Sequence, residues 1–180
     1  LLDTMARQEK VCNYLDIPLQ HCNGDILRRM NRHGDRAELT AKIAHIREKL
    51  PDVVLRTTFI TGFPGETDEQ FTELCEFIHE VKFDRLGCFP YSAEEGTFAA
   101  AMEDQVDEEV KHRRAEIIMD AQSRIVDEKN QQRISQVVEV LVEGYDDYIK
   151  CLFGRTRGDA PEIDAKVFFT PAQVRAKAGD

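Results

Sequence analysis

The stretch TTFITGFPGET (57–67) completes a β-branched run, VVLRTTFI (53–60), and then breaks at Gly62-Phe63-Pro64-Gly65. Thr67 and Gln70 next form a capping box that opens a helix, with Phe71, Leu74, Cys75, Ile78 and Val81 as its apolar stripe and Glu69, Glu73, Glu76 and Glu80 on its wet face. A strand, a glycine turn and a capped helix are the first half of a βαβ unit. The flanking sequence repeats the pattern. Upstream, VCNYLDIPL (11–19) reads as a strand, followed by helix formers up to Leu50. There Asp35 and Glu38 make a capping pair, Leu39, Ile43, Ile46 and Leu50 recur at helical spacing, and Pro51 stops the helix. Downstream, FDRLGCFPYS (83–92) is a third strand. Three strands joined by helices should be parallel, with their C-terminal ends on one rim, where α/β folds keep their sites. That rim would carry Gln20-His21, Gly62 to Glu66, and Phe89 to Ser92.

Residues 92–105 read as an exposed connection. Residues 107–132 form a long charged helix with a stripe through Val110, Ala115, Ile118, Met119, Gln122, Ile125 and Val126. From Ser135 the pattern changes to short runs ending at turns, QVVEVLVEG, YIKCLFG and AKVFF, as in a small antiparallel barrel or sheet.

The 180 residues carry 24 Lys and Arg against 34 Asp and Glu, a net charge of −10 that opposes unspecific attraction to phosphate backbones. Nucleic acid is therefore an unlikely partner on charge. Five cysteines, Cys12, Cys22, Cys75, Cys88 and Cys151, are odd in number and irregular in spacing, as expected of reduced thiols in a cytoplasmic protein. No apolar run approaches the roughly 20 residues of a membrane span.

Among candidate site residues, the glycine turn has two readings. It either brings backbone N–H groups to an anionic or nucleotide-like ligand, or it is an ordinary βα turn that needs positive φ. It matches neither G-x-G-x-x-G nor the Walker pattern. Gln20 and His21 could donate to a ligand, His21 with acid–base capacity near neutral pH, or serve only as polar rim residues. Arg56 sits inside an apolar strand; it either meets an anion or ligand, or stacks outward on a helix. The basic group Arg28, Arg29, Arg32 and Arg36 either faces an acidic substrate or is a solvated helix face. Cys12, Cys22 and His21 lack metal-site spacing, and Cys75 on a buried stripe would be inert.

The segments YLDIPLQH (14–21), LRRMNRHG (27–34), LRTTFITGFPGETDEQF (55–71), VKFDRLGCFPYSAEEGT (81–97), AQSRI (121–125) and DAPEID (159–164) occur in this order. Together they resemble the C-terminal half of the radical S-adenosylmethionine (SAM) methylthiotransferases, in the RimO-type branch that modifies a ribosomal protein. The resemblance implies an α/β fold in which a partial TIM-like radical SAM barrel contributes its last three βα units, followed by a long helix and a small antiparallel OB-like TRAM domain. The divisions would be 1–100, 101–134 and 135–180. It implies SAM as cofactor and two 4Fe-4S clusters in the full-length protein, with chemistry at the β-carbon of an aspartate in the twelfth small-subunit ribosomal protein. Gln20, His21, Arg56, Ile60, Gly62 and Phe89 would be cofactor-binding, Phe89 near the adenine and Gly62 to Glu66 as the pocket floor.

The C-x-x-x-C-x-x-C loop that holds the family's cluster does not occur in these residues. The chain is accordingly expected to be a fragment, inactive alone, with no catalytic or metal residues of its own. Its strand 11–19 would be an open edge suited to dimerisation. The segment from Ser135 is more acidic than basic, which suits the ribosomal protein as the TRAM partner better than tRNA, the substrate of a sister branch. A non-catalytic module that binds the ribosomal protein is the alternative from outside enzymology.

Overall fold

The computed structural model describes residues 1–170 and 176–180; residues 171–175, within the expected TRAM segment, lie outside the described residues. The architecture is mixed α/β. A parallel sheet orders β1 (Tyr14–Asp16), β2 (Val54–Thr61) and β3 (Arg85–Pro90) sequentially, and an antiparallel sheet orders β4 (Leu141–Asp146), β5 (Cys151–Arg155) and β6 (Val167–Phe169). The helices are α1 (Leu2–Arg7), α2 (Gly24–Arg29), α3 (Arg36–Lys49), α4 (Asp68–Val81) and α5 (Glu108–Arg133). No described helix is long and apolar enough to cross a membrane.

Two compact units emerge: residues 15–133, and residues 1–14 together with 134–180. In the first, β2 pairs in parallel with β3, aligning Arg56 with Arg85, Thr58 with Gly87 and Ile60 with Phe89. Side chains alternate across a strand, so Leu55, Thr57, Phe59 and Thr61 share one face, all buried. Phe59 meets Phe77 of α4 and Phe83 edge-on, at 6.3 and 5.8 Å between centroids. Fully buried aromatic side chains contribute about 1.5–3 kcal/mol each by area, and edge-on pairs about 0.5–1.5 kcal/mol more. This aromatic cluster anchors the sheet on its helices.

Local chemistry explains the helix starts. Thr67 and Gln70 form the reciprocal capping box of α4, and Asp35 accepts from the Glu38 amide at the start of α3. The apolar phases differ from expectation in places. On α4, Phe77 is fully buried while Cys75 is only half-buried. On α5 the buried face runs through Lys111, Arg114, Ala115, Ile118, Gln122 and Ile125, whereas Val110 and Met119 are exposed. A cation with a buried partner counts as core, and hydropathy alone assigned it to solvent.

The expected strand 11–19 shrinks to three residues. The Val11 and Tyr14 amides turn back onto the Gln8 and Cys12 carbonyls, and Pro18 has no N–H to continue the ladder. Pairing resumes at Gln20, whose amide donates to Thr58 and whose carbonyl accepts from Ile60. The open edge is therefore shorter than the sequence suggested.

In the second unit, β4 and β5 pair antiparallel with a register shift between Val142 and Gly144, and β6 adds to β5. Val142 and Leu152 are its buried apolar strand residues, while Leu141, Tyr145, Tyr148 and Phe168 are exposed. Tyr14 donates from its hydroxyl to Asp164 at 2.8 Å, and Arg157 to the Glu9 carbonyl at 3.0 Å.

Candidate functional site

The C-terminal ends of β1, β2 and β3 gather the predicted rim residues, but with different roles for each. Gly62 has φ +68° and Gly65 φ +81°, so both glycines satisfy a backbone requirement. Their amides do not await an anion: that of Gly62 donates to Glu66 Oε1 at 3.0 Å, and that of Gly65 to the Asp104 carbonyl at 2.8 Å. A Cβ on Gly62 would lie 2.2 Å from Lys111 Cγ. The missing side chain admits α5 to the turn, so of the two readings the βα turn that needs positive φ describes these two glycines.

His21 is fully buried. Its Nδ1 accepts from the Asn23 amide at 2.9 Å, and its Nε2 lies 3.3 Å from Glu66 Oε2. Glu66 is buried too, and its Oε1 takes a 2.7 Å hydrogen bond from Arg114, which reaches on to Asp68 at 2.6 Å. Lys111, buried in the same helix, stands over the Tyr91 ring at 5.3 Å and pairs with Glu108 at 2.5 Å. Asp68, Lys111 and Arg114 carried no assigned role in the sequence reading, and Glu66 entered it only as the end of the turn. The available signal was phase: Lys111 and Arg114 fall in step with Ala115, Ile118 and Gln122 on a helix that must bury one face.

On the opposite side of the sheet from the aromatic cluster, the faces of β2 and β3 are less covered. Arg56 is half-buried and its Nε lies 3.6 Å from Asp16 Oδ2, so it meets an anion of its own chain. Ile60 packs against Ile26, Phe63 and Tyr91, with Met30, Ala99 and Met102 beside it. Phe89, aligned with Ile60, is 59% exposed, a large apolar ring left open on a rim. Gln20 holds φ +70° at the parallel bridge to Phe59 and is partly exposed. The structure thus brings Gln20, Arg56, Ile60 and Phe89 to the exposed parts of β1–β3 and their rim, and puts His21 and Gly62 beneath the turn.

The basic group is engaged within the chain. Arg28 pairs with Asp25, Arg29 with Asp104 and the Pro64 carbonyl, Arg32 with the Pro18 carbonyl, and Arg36 with Glu76 and Glu80. The hydrogen bond from Arg29 holds the Asp104 carboxyl below its ordinary range, and those that Arg36 donates to Glu76 and Glu80 keep Arg36 more firmly protonated. Among the thiols, burial pushes Cys22 far up, Cys88 up to about 12, and Cys75 upward as well. None of these three is a ready nucleophile. Among the described residues no group of three or more His, Cys, Asp or Glu could hold a metal ion, so no cluster fits here.

Known proteins resemble this chain in both of its parts. The radical SAM superfamily matches residues 1–78, and the TRAM domain matches residues 134–180. Over 69% of this chain the fold superimposes on 30% of coproporphyrinogen III oxidase (HemN) from Escherichia coli, described as a radical SAM enzyme, with a TM-score of 0.56 at 25% identity. The class is therefore a radical SAM fold joined to a TRAM domain. Two curated relatives are both described as ribosomal protein uS12 methylthiotransferase RimO. The protein from Pelotomaculum thermopropionicum is 52% identical over 94% of this chain, and that from Geobacter sulfurreducens 45% identical over 100% of it. The chain belongs to the RimO family of radical SAM methylthiotransferases. It spans 38% and 40% of the length of those two relatives.

Proposed function

We propose that this chain is part of an enzyme that methylthiolates an aspartate of ribosomal protein uS12, working in the cytoplasm, and that the β1–β3 rim contributes to its SAM site. The identity to RimO relatives across essentially the whole chain carries this reading. Bound here, SAM would supply radical chemistry at an otherwise inert C–H bond, with an iron–sulfur cluster that the full-length protein would hold elsewhere. The residues here bind and orient. Phe89 and Ile60 offer apolar surface to the adenine, Gln20 and Arg56 offer donors to ribose or carboxylate, and the turn Gly62–Glu66 shapes the floor from below while His21 supports it. The segment 134–180 would dock the basic ribosomal protein, in keeping with its excess of acidic residues.

The direct test incubates the reduced full-length enzyme with SAM and uS12 and weighs the product. A gain of one methylthio group on an aspartate is expected. Modification of tRNA instead, with salt-sensitive tRNA binding, would move the protein to the sister branch. Retention of uS12 without any mass gain would leave a binding module. This chain alone is expected to turn over nothing.

A further inference from the structure

A charged cluster lies buried beneath the glycine turn, and its bonding pattern specifies where a proton sits. The Asn23 amide donates to His21 Nδ1, so Nδ1 carries no hydrogen and a neutral imidazole has its proton on Nε2. Nε2 and Glu66 Oε2 are buried 3.3 Å apart, and neither makes a hydrogen bond among the described residues. The Nε2 proton is therefore on the side of the ring nearer Glu66, short of a formed hydrogen bond. The other carboxylate oxygen receives both the Gly62 amide and Arg114, and Arg114 also donates to the Glu66 carbonyl at 3.1 Å. Glu66 thus ties the first residue of the turn to its last, and His21 fixes the carboxylate that makes the tie. Removing the imidazole takes away the polar group 3.3 Å from buried Oε2, so the carboxylate rotates or admits water, and either change loosens the Gly62 amide.

We infer that His21 is a positioning residue: acting through Glu66, it holds the Gly62–Glu66 turn in the shape that accepts SAM, without touching SAM itself. The inference rests on the rim being the SAM site. It differs from a structural histidine in a readable way, because only the donor at the Nε2 position matters, and glutamine can supply one.

Nitrogen-15 NMR of the chain should show His21 as the Nε2–H tautomer; a proton on Nδ1 overturns the inference. Hydrogen exchange of the Gly62 amide should speed up at least about tenfold in His21→Ala and return most of the way in His21→Gln. In the full-length enzyme His21→Ala should raise KM for SAM about tenfold with kcat within about twofold, and His21→Gln should restore it. If His21→Ala does not fold, the tautomer and the glutamine variant still decide. Unchanged Gly62 exchange in His21→Ala overturns the role of His21. Faster exchange with an unmoved KM overturns the inference through its premise, that the rim binds SAM.

Discussion

The two sheets of this chain solve stability differently. The parallel sheet packs Phe59 against Phe77 and Phe83 with essentially no exposed surface, and it buries His21, Glu66, Lys111 and Arg114 as a polar layer under its rim. The antiparallel sheet buries Val142 and Leu152 but leaves Leu141, Tyr145 and Phe168 half-exposed. A rigid support under a rim suits a site that must hold a small molecule in one geometry. A thinly packed sheet with exposed aromatics suits a surface that meets a partner.

The contrast can be broken most strongly in the aromatic cluster. Phe77→Ala should cost about 3–5 kcal/mol in urea denaturation, while Phe168→Ala on the antiparallel sheet should stay within about 0.5 kcal/mol. Equal effects would show that the two sheets share one core. Gly62→Ala comes next, at about 1–3 kcal/mol from its positive φ together with the collision at Lys111. Gly96→Ala has a similar φ of +81° and nothing within 4 Å, and should cost less, so the difference isolates the close approach of α5.

A smaller effect is read from pH. Cys22 and Cys88 are held protonated in the folded chain above their ordinary value of 9.0, Cys88 to about 12, by burial. Between those values the unfolded chain has lost protons that the folded chain keeps. Stability is therefore full below about pH 9 and falls as pH rises, by about 1.4 kcal/mol per unit for each thiol. Denaturation midpoints of the wild type and of Cys22→Ala/Cys88→Ala should draw together as pH rises above 9, the variant's slope being the flatter; parallel slopes would place these thiols in water. At neutral pH, an alkylating reagent should label exposed Cys12 far ahead of either.

Much of the first unit was legible in the sequence because its signals are local. The capping box at Thr67 and Gln70, the β-branched run before Gly62 and the helix stop at Pro51 each act within a few residues. The site was legible only as a place. Pattern could bring Gln20, His21, Gly62 and Phe89 to one rim, but not tell which of them face outward, since His21 lies against Glu66 and Glu66 is claimed by Arg114, 48 positions beyond it. The glycines were ambiguous for the same reason. Their spacing announces an unusual backbone, and what fills the vacated space, Lys111 at Gly62 and Arg29 with Asp104 at Gly65, comes from far along the chain. The length of β1 was misjudged because alternation cannot see Pro18 and the turn at Cys12 cutting the ladder on both sides.

The central claim is that the exposed parts of β1–β3 and their rim bind SAM. Amide shifts of this chain titrated with SAM test it most directly. The account predicts weak binding, with Kd of about 1 mM or above, and shifts confined to Gln20, Ile60, Gly62, Phe89 and their neighbours. Shifts confined to β4–β6, or none on the rim at saturating SAM, would contradict it.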